Sequence, residues 1–167
     1  MKAILIITFS LLTIGATAQT TYGIKAGAAH TYMNGVDFHK SIGYYVGGFM
    51  EGRADRISTV LELVFVDQLN NFDGTLLAQK SIMFTIGPSF YLSEGSPLSI
   101  GVGATAGHDL GTRWDGEKLD IPKDVRAGGY AGLNYDLQKI KLQVRFLREL
   151  RGSNMLHFGL NYTLFQG

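Results

Sequence analysis

The segment Ser81-Ile82-Met83-Phe84-Thr85-Ile86-Gly87-Pro88-Ser89-Phe90-Tyr91-Leu92 decides the fold. Its residues sort by twos. Ile82, Phe84, Ile86, Phe90 and Leu92 share one face, and Ser81, Thr85, Gly87, Ser89 and Tyr91 share the other. A period of two is the signature of a β-strand with one apolar face. The segment 155–165 repeats the pattern, with Leu156, Phe158, Leu160, Tyr162 and Leu164 set against His157, Gly159, Asn161 and Thr163. Leu98 to Gly107 and Ile140 to Phe146 alternate in the same way. The alternation predicts eight strands, at 22–31, 42–53, 57–68, 79–92, 97–108, 126–136, 140–150 and 155–165. Each is near the ~9–11 residues with which a tilted strand crosses a bilayer.

Composition agrees with an all-β chain of one domain. The sequence has 167 residues, 46% of them hydrophobic, and only 17% charged against the roughly 25% of an ordinary soluble protein. Its 22 glycines are 22/167, about 13%, nearly twice the usual share. Fifteen Lys and Arg against 14 Asp and Glu give no basic surface for nucleic acid. With no cysteine, disulfide scaffolds, Cys-ligated zinc and thiol catalysis are excluded.

Residues 1–18 read as a cleaved secretory signal: Met1-Lys2, an apolar run from Ala3 to Gly15, then the small-x-small site Ala16-Thr17-Ala18. Cleavage leaves 167 − 18 = 149 residues, 19–167, as the barrel domain. Past Gln19 no apolar run reaches the ~18–20 residues of a spanning helix. The mature chain is therefore expected to be either an exported soluble barrel or a transmembrane one.

The links between strands favour the membrane. The first (32–41), third (69–78) and fifth (109–125) read as long, and the second (54–56), fourth (93–96) and sixth (137–139) as short. Short periplasmic turns and longer outer loops are the habit of outer-membrane barrels. On that topology Tyr22, Phe90, Tyr135 and Tyr162 form a lower aromatic belt, and Tyr44, Phe65, Phe146 and Phe158 an upper one. Alternation alone would equally suit a lipocalin-like periplasmic barrel whose apolar face lines a ligand cavity. Signal, loop sorting and belts decide for an eight-stranded antiparallel up-and-down transmembrane barrel in the outer membrane of a diderm bacterium, monomeric and surrounded by outer-membrane lipid.

The other face carries glycines and the charges Lys25, Glu51, Glu62, Lys141, Arg145 and Glu149. Eight strands enclose room only for their own side chains, and buried charges need partners. These six residues are expected to form a lumen ion-pair network centred on Glu62 and Arg145, so that the lumen is plugged.

Several stretches resemble the PorT-like outer membrane β-barrel family. Tyr22-Gly23-Ile24-Lys25-Ala26-Gly27 is similar to its opening strand, and Gly43-Tyr44-Tyr45-Val46-Gly47-Gly48-Phe49 with Leu61-Glu62-Leu63 to its second hairpin. Gly132-Leu133-Asn134-Tyr135, Gln143-Val144-Arg145-Phe146 and Phe158-Gly159-Leu160-Asn161-Tyr162 resemble its sixth, seventh and closing strands. Glu62 and Arg145 match charged positions of the family's third and seventh strands. Barrels of this kind usually end on an aromatic residue, whereas here Phe165 is followed by Gln166-Gly167. The resemblance implies a barrel and says little of an activity; the namesake's link to protein secretion is not carried over.

Motifs for chemistry are sparse. His30, His39, His108 and His157 all fall in the outer half, but no His-Glu-x-x-His spacing occurs, and neither a metal site nor a cofactor is expected. Ser41 lies two residues from His39, and Ser153 is near His157, without the Gly-x-Ser-x-Gly elbow of a hydrolase. Asp115 and Glu117 read as a solvated loop pair rather than an acid and a base. The fifth link holds the single tryptophan in Gly111-Thr112-Arg113-Trp114-Asp115-Gly116. Asp115-Gly116 is a hairpin-turn signal. Trp114, with Arg113 and Asp115, is the candidate outer contact for an unidentified surface or envelope protein, or else packs back on the barrel rim. The expected role is structural or surface-interacting and non-enzymatic. The alternatives are a barrel enzyme acting on lipid or peptide, which needs His39, Ser41, His108 or His157 to converge, and the soluble lipocalin-like binder.

Overall fold

The computed structural model describes residues 19–33, 40–72, 75–119, 125–150 and 153–167. The expected signal, residues 1–18, lies outside them. Nine strands form one antiparallel sheet: β1 (Gln19–Met33), β2 (Lys40–Ala54), β3 (Ile57–Phe72), β4 (Thr75–Tyr91), β5 (Leu98–Trp114), β6 (Glu117–Leu119), β7 (Val125–Leu137), β8 (Ile140–Glu149) and β9 (Ser153–Gln166). β1 pairs with β9, and β4 with β5, so the sheet closes in a ring. β6 pairs only with β5 and stands outside that ring. We call the end holding Gln19 and Gln166 the base, and the opposite end the rim.

The alternation read from sequence is the geometry of the wall. Its outward positions include Ile24, Leu63, Phe84, Ile100, Leu133, Leu142 and Leu160, all large, apolar and exposed. Its inward positions include Lys25, Glu62, Thr85, Ser99, Asn134, Arg145 and Asn161, all polar and buried. The polarity is inverted relative to a water-soluble barrel. This corrects the lipocalin-like alternative, because the apolar faces do not line a cavity. Tyr22, Phe90, Tyr135 and Tyr162 are exposed on the outward face near the base, and Tyr44, Phe146 and Phe158 lie nearer the rim.

The links differ from expectation on one side of the ring. β3 and β4 pair as far as Phe72 with Thr75, which leaves two residues between them instead of a ten-residue loop. β5 runs on to Trp114, six residues past its last β7 partner at His108. The link from β4 to β5, 92–97, is the longer turn, with Gly95 at φ 74°. Residues read as loops therefore continue the hydrogen-bonded ladder, and β3, β4, β5 and β6 form a tall wall. β8, with 10 residues, is the low side. The missed cue was Asp73-Gly74 between Phe72 and Thr75, a two-residue hairpin signal. The Asp115-Gly116 signal agrees with the observed β5–β6 hairpin, whose turn residues take φ 49° and 86°.

The lumen is layered. Above the charged middle lies a buried apolar cluster of Val64, Val66, Met83, Leu147 and Met155 with Tyr45 and Tyr130. Sequence reasoning assigned this face to glycine and charge alone. Glycines make room for the two rings: a Cβ on Gly87 would sit 2.8 Å from Tyr130 Oη, and one on Gly159 would run into Tyr45 Oη.

Candidate functional site

Two regions carry functional side chains: the lumen and the tall wall. In the middle of the lumen, β3 aims Glu62, β8 aims Arg145 and β1 aims Lys25 at one point. Arg145 donates to both Glu62 oxygens, Nη1 to Oε2 at 2.5 Å and Nη2 to Oε1 at 2.8 Å. Lys25 Nζ donates to Glu62 Oε2 at 2.8 Å and also to Gln143 Oε1. All three charged side chains are 3% exposed or less. A forked guanidinium–carboxylate pair is the strong form of this contact. Gln143 Nε2 passes the network to Asn134 at 2.7 Å, and Asn134 Nδ2 donates to Ser99 Oγ at 3.1 Å. Rings close the layer from the rim side. Arg145 lies 4.4 Å from the Tyr130 ring centroid, and Tyr45 stacks on His157 at 4.8 Å.

The six residues expected to form one network divide into three layers. Glu51 and Lys141 pair at 2.5 Å near the base, where Lys141 also faces Asp136 at 3.4 Å and the single hydroxyl proton of Tyr91 is shared between Asp136, at 2.9 Å, and Glu51, at 3.2 Å. Arg53 stacks over the Tyr91 ring at 3.6 Å in a 250 Å³ mouth cavity that also holds Glu51, Asp136 and Lys141. Glu149 belongs to a layer near the rim: it meets Arg126 at 3.1 Å and accepts from Ser153, while Arg126 reaches Asp109 at 2.9 Å. Among the described residues no ion pair links the three layers. Sequence reasoning missed Arg126, Asp109, Asp136 and Tyr91 as partners. Arg126 and Asp136 share the alternation phase of Gly128, Gly132 and Asn134, so the period that found Arg145 could have found them.

On the tall wall, Arg113, Trp114 and Asp115 are exposed at the β5–β6 hairpin. The register places Arg113 opposite Lys118 and Trp114 opposite Glu117. Arg113, Lys118 and Lys80 line one cleft of about 270 Å³ together with Ala78, Leu110 and Thr112.

Among the described residues, those an enzyme would need are not brought together. His157 is buried in the lumen, whereas His108 and His30 are exposed. His39 and the Ser41 side chain lie outside the described residues. Among the described residues no group of three His, Asp or Glu is placed to hold a metal ion. No described helix is long and apolar enough to cross a membrane, which says nothing of strands.

No family model matches the chain, and no curated protein does at the level searched. Solved structures do. The chain is similar to Ail, the attachment invasion locus protein of Yersinia pestis, at 13% identity and TM-score 0.54, covering 87% of this chain and 97% of Ail. A second Ail structure, in complex with the heparin analogue sucrose octasulfate, matches at 14% identity and TM-score 0.54 over 87% of this chain and 97% of Ail. Neisserial surface protein A matches at 15% identity and TM-score 0.61, covering 87% of this chain and 99% of that protein. At such identities the likeness is one of fold: the chain has the closed antiparallel fold of these small β-barrels.

Proposed function

We propose that this chain is an eight-stranded outer-membrane barrel, delivered by the cleaved signal 1–18, with a plugged lumen and a non-enzymatic, surface-interacting role. The inverted wall carries the reading. A broad apolar exterior around an interior whose buried charges are paired is stable only where the exterior is out of water. On β4 the apolar rows from Ile82 to Leu92 span about 33 Å of strand, or about 25 Å along the axis at the ~40° tilt usual for such barrels. That matches the ~25 Å apolar band of outer-membrane barrels. The eight strands are those around the ring, with β6 outside it.

The filled lumen supports a plugged rather than conducting barrel. Function then falls to the rim, where the tall wall presents Trp114, Arg113 and Asp115 to a surface or envelope partner. The fold neighbours are consistent with that placement: Ail is named for attachment and invasion and has been captured with a heparin analogue, and the neisserial neighbour is named a surface protein. Membership of the PorT-like family belongs to this proposal and rests on the short motifs around Lys25, Glu62 and Arg145.

The test is fractionation with heat-modifiable mobility. The unboiled protein from purified outer membranes is expected to migrate faster than the boiled one. Release with the soluble periplasm would overturn the reading.

A further inference from the structure

We infer that the cleft of Lys80, Arg113 and Lys118 on the tall wall binds the phosphate of an anionic membrane lipid. The inference rests on the membrane-barrel reading above. All three side chains are on the outward side of the wall. Lys80 is one outward step above Ile82 and is the first charge in the outward row of β4, which continues beyond it through Ala78 to the exposed Leu76. Ala78, outward by the same alternation, pairs with Arg113, and Arg113 pairs with Lys118. The cleft therefore opens at the first charged step above the large apolar rows of β4, where the membrane reading puts the lipid headgroups.

Its charge is unbalanced. Arg113 and Lys118 are directly opposite on neighbouring strands, an arrangement of like charges that destabilises a sheet. Among the described residues neither makes an ion pair. Asp67 faces Lys80 at 3.6 Å but also accepts from Tyr44 Oη at 3.1 Å, so it is already shared. No acidic residue lines the cleft. A β-bulge produces the hollow: between Lys80 and Ser81 the register shifts, Leu110 is left over, and Gly111 leaves open space where a Cβ would stand. Three cations around a 270 Å³ hollow suit a phosphate, and Leu110 and Ala78 supply an apolar floor for the first carbons beyond it. Basic residues at a membrane surface attract anionic lipid. The position at the first charged step above the apolar rows selects lipid over a soluble anion.

The test uses the mature chain refolded in neutral detergent, first shown to be heat-modifiable, then incubated with equal amounts of phosphatidylglycerol and phosphatidylcholine and read by native mass spectrometry. The wild type is expected to retain phosphatidylglycerol preferentially. The triple variant K80Q/R113Q/K118Q is expected to lose that preference by about tenfold or more. R113Q and K118Q singly, at exposed sites, are expected to lose part of it. R148Q, which removes an exposed cation outside the cleft, should leave it intact. Equal retention of both lipids by the wild type, an unchanged triple variant, or the same loss in R148Q would each overturn the cleft. Full displacement of the lipid by millimolar inorganic phosphate would assign the site to a soluble anion instead. A chain that is not heat-modifiable would overturn the membrane reading itself, and that result appears before any lipid is added.

Discussion

The middle of the barrel and the tall wall are built from the same strands under different constraints. In the middle, β3 and β4 carry an apolar exterior on one side and face the crowded lumen on the other. Every residue is committed to one side, as Glu62 inward beside Leu63 outward shows. Further along the same strands, past Val66 and Ser81, β3 and β4 rise toward the rim. There Leu69 and Leu76 are exposed, Asp67 is buried on the outward side, and Lys80 faces the surroundings. Strand structure persists because backbone pairing persists, but the commitment of sides does not. The middle needs its side chains to match. The wall needs mainly its ladder and its turns.

Substitutions should separate the two regions, and the largest effect is expected at Glu62. Glu62→Gln would leave Arg145 and Lys25 buried with no carboxylate between them. Removing one partner of a buried charged group typically costs about 3–5 kcal/mol. The unfolding midpoint in detergent, followed by gel mobility, should fall sharply. Glu117→Gln, on the exposed β6, should leave it where it is. Equal effects at the two positions would erase the distinction.

A second break tests the nesting of rings against glycine. Gly159→Ala places a methyl against Tyr45 Oη, and Tyr45 is 1% exposed. Overpacking of this kind costs about 1–3 kcal/mol. Among the described residues Tyr45 Oη has no hydrogen-bond partner, so Tyr45→Phe removes the clashing atom without breaking a bond seen there. The double variant should recover much of the loss. Full additivity of the two substitutions would mean that the ring and the glycine are not in contact.

The base layer should rank below the middle. Glu51→Gln removes one partner of Lys141, yet Lys141 keeps Asp136 at 3.4 Å and faces the open mouth cavity. Its cost is expected at about 1.5–3 kcal/mol, the range for a hydrogen bond to a charged group. An effect as large as that of Glu62→Gln would show that the layers are coupled despite having no ion pair between them.

The same contrast explains what could be read from sequence. Ile82 to Leu92 and Leu156 to Leu164 declared themselves because an apolar exterior and a polar lumen enforce alternation there. Glu62 and Arg145 could be singled out because a charge on an otherwise glycine-rich face stands out. Leu69 to Ala78 reads as a loop because alternation fades there, leaving Asp73-Gly74 as the cue to a hairpin. The layering of charges was hidden for another reason. Which carboxylate meets which cation depends on the offset between strands that are distant in sequence, such as the 83 residues separating Glu62 from Arg145. Alternation fixes the side on which a residue lies, and only the register fixes its height.

The smallest effects should come from the hairpin at the top of the wall. Gly116 holds φ 86° beyond Asp115 at φ 49°, a pair of left-handed residues that suits Asp-Gly and resists a β-branched side chain. Gly116→Val should therefore open the β5–β6 turn at a local cost of about 1–2 kcal/mol. The ring itself closes through β4 and β5 without β6, so the unfolding midpoint should hold. Limited proteolysis is the measurement that sees the difference: cleavage near Trp114 should rise while the barrel fragment stays intact and heat-modifiable. A drop in the midpoint as well would mean that the wall braces the ring, and that its height serves stability as well as display.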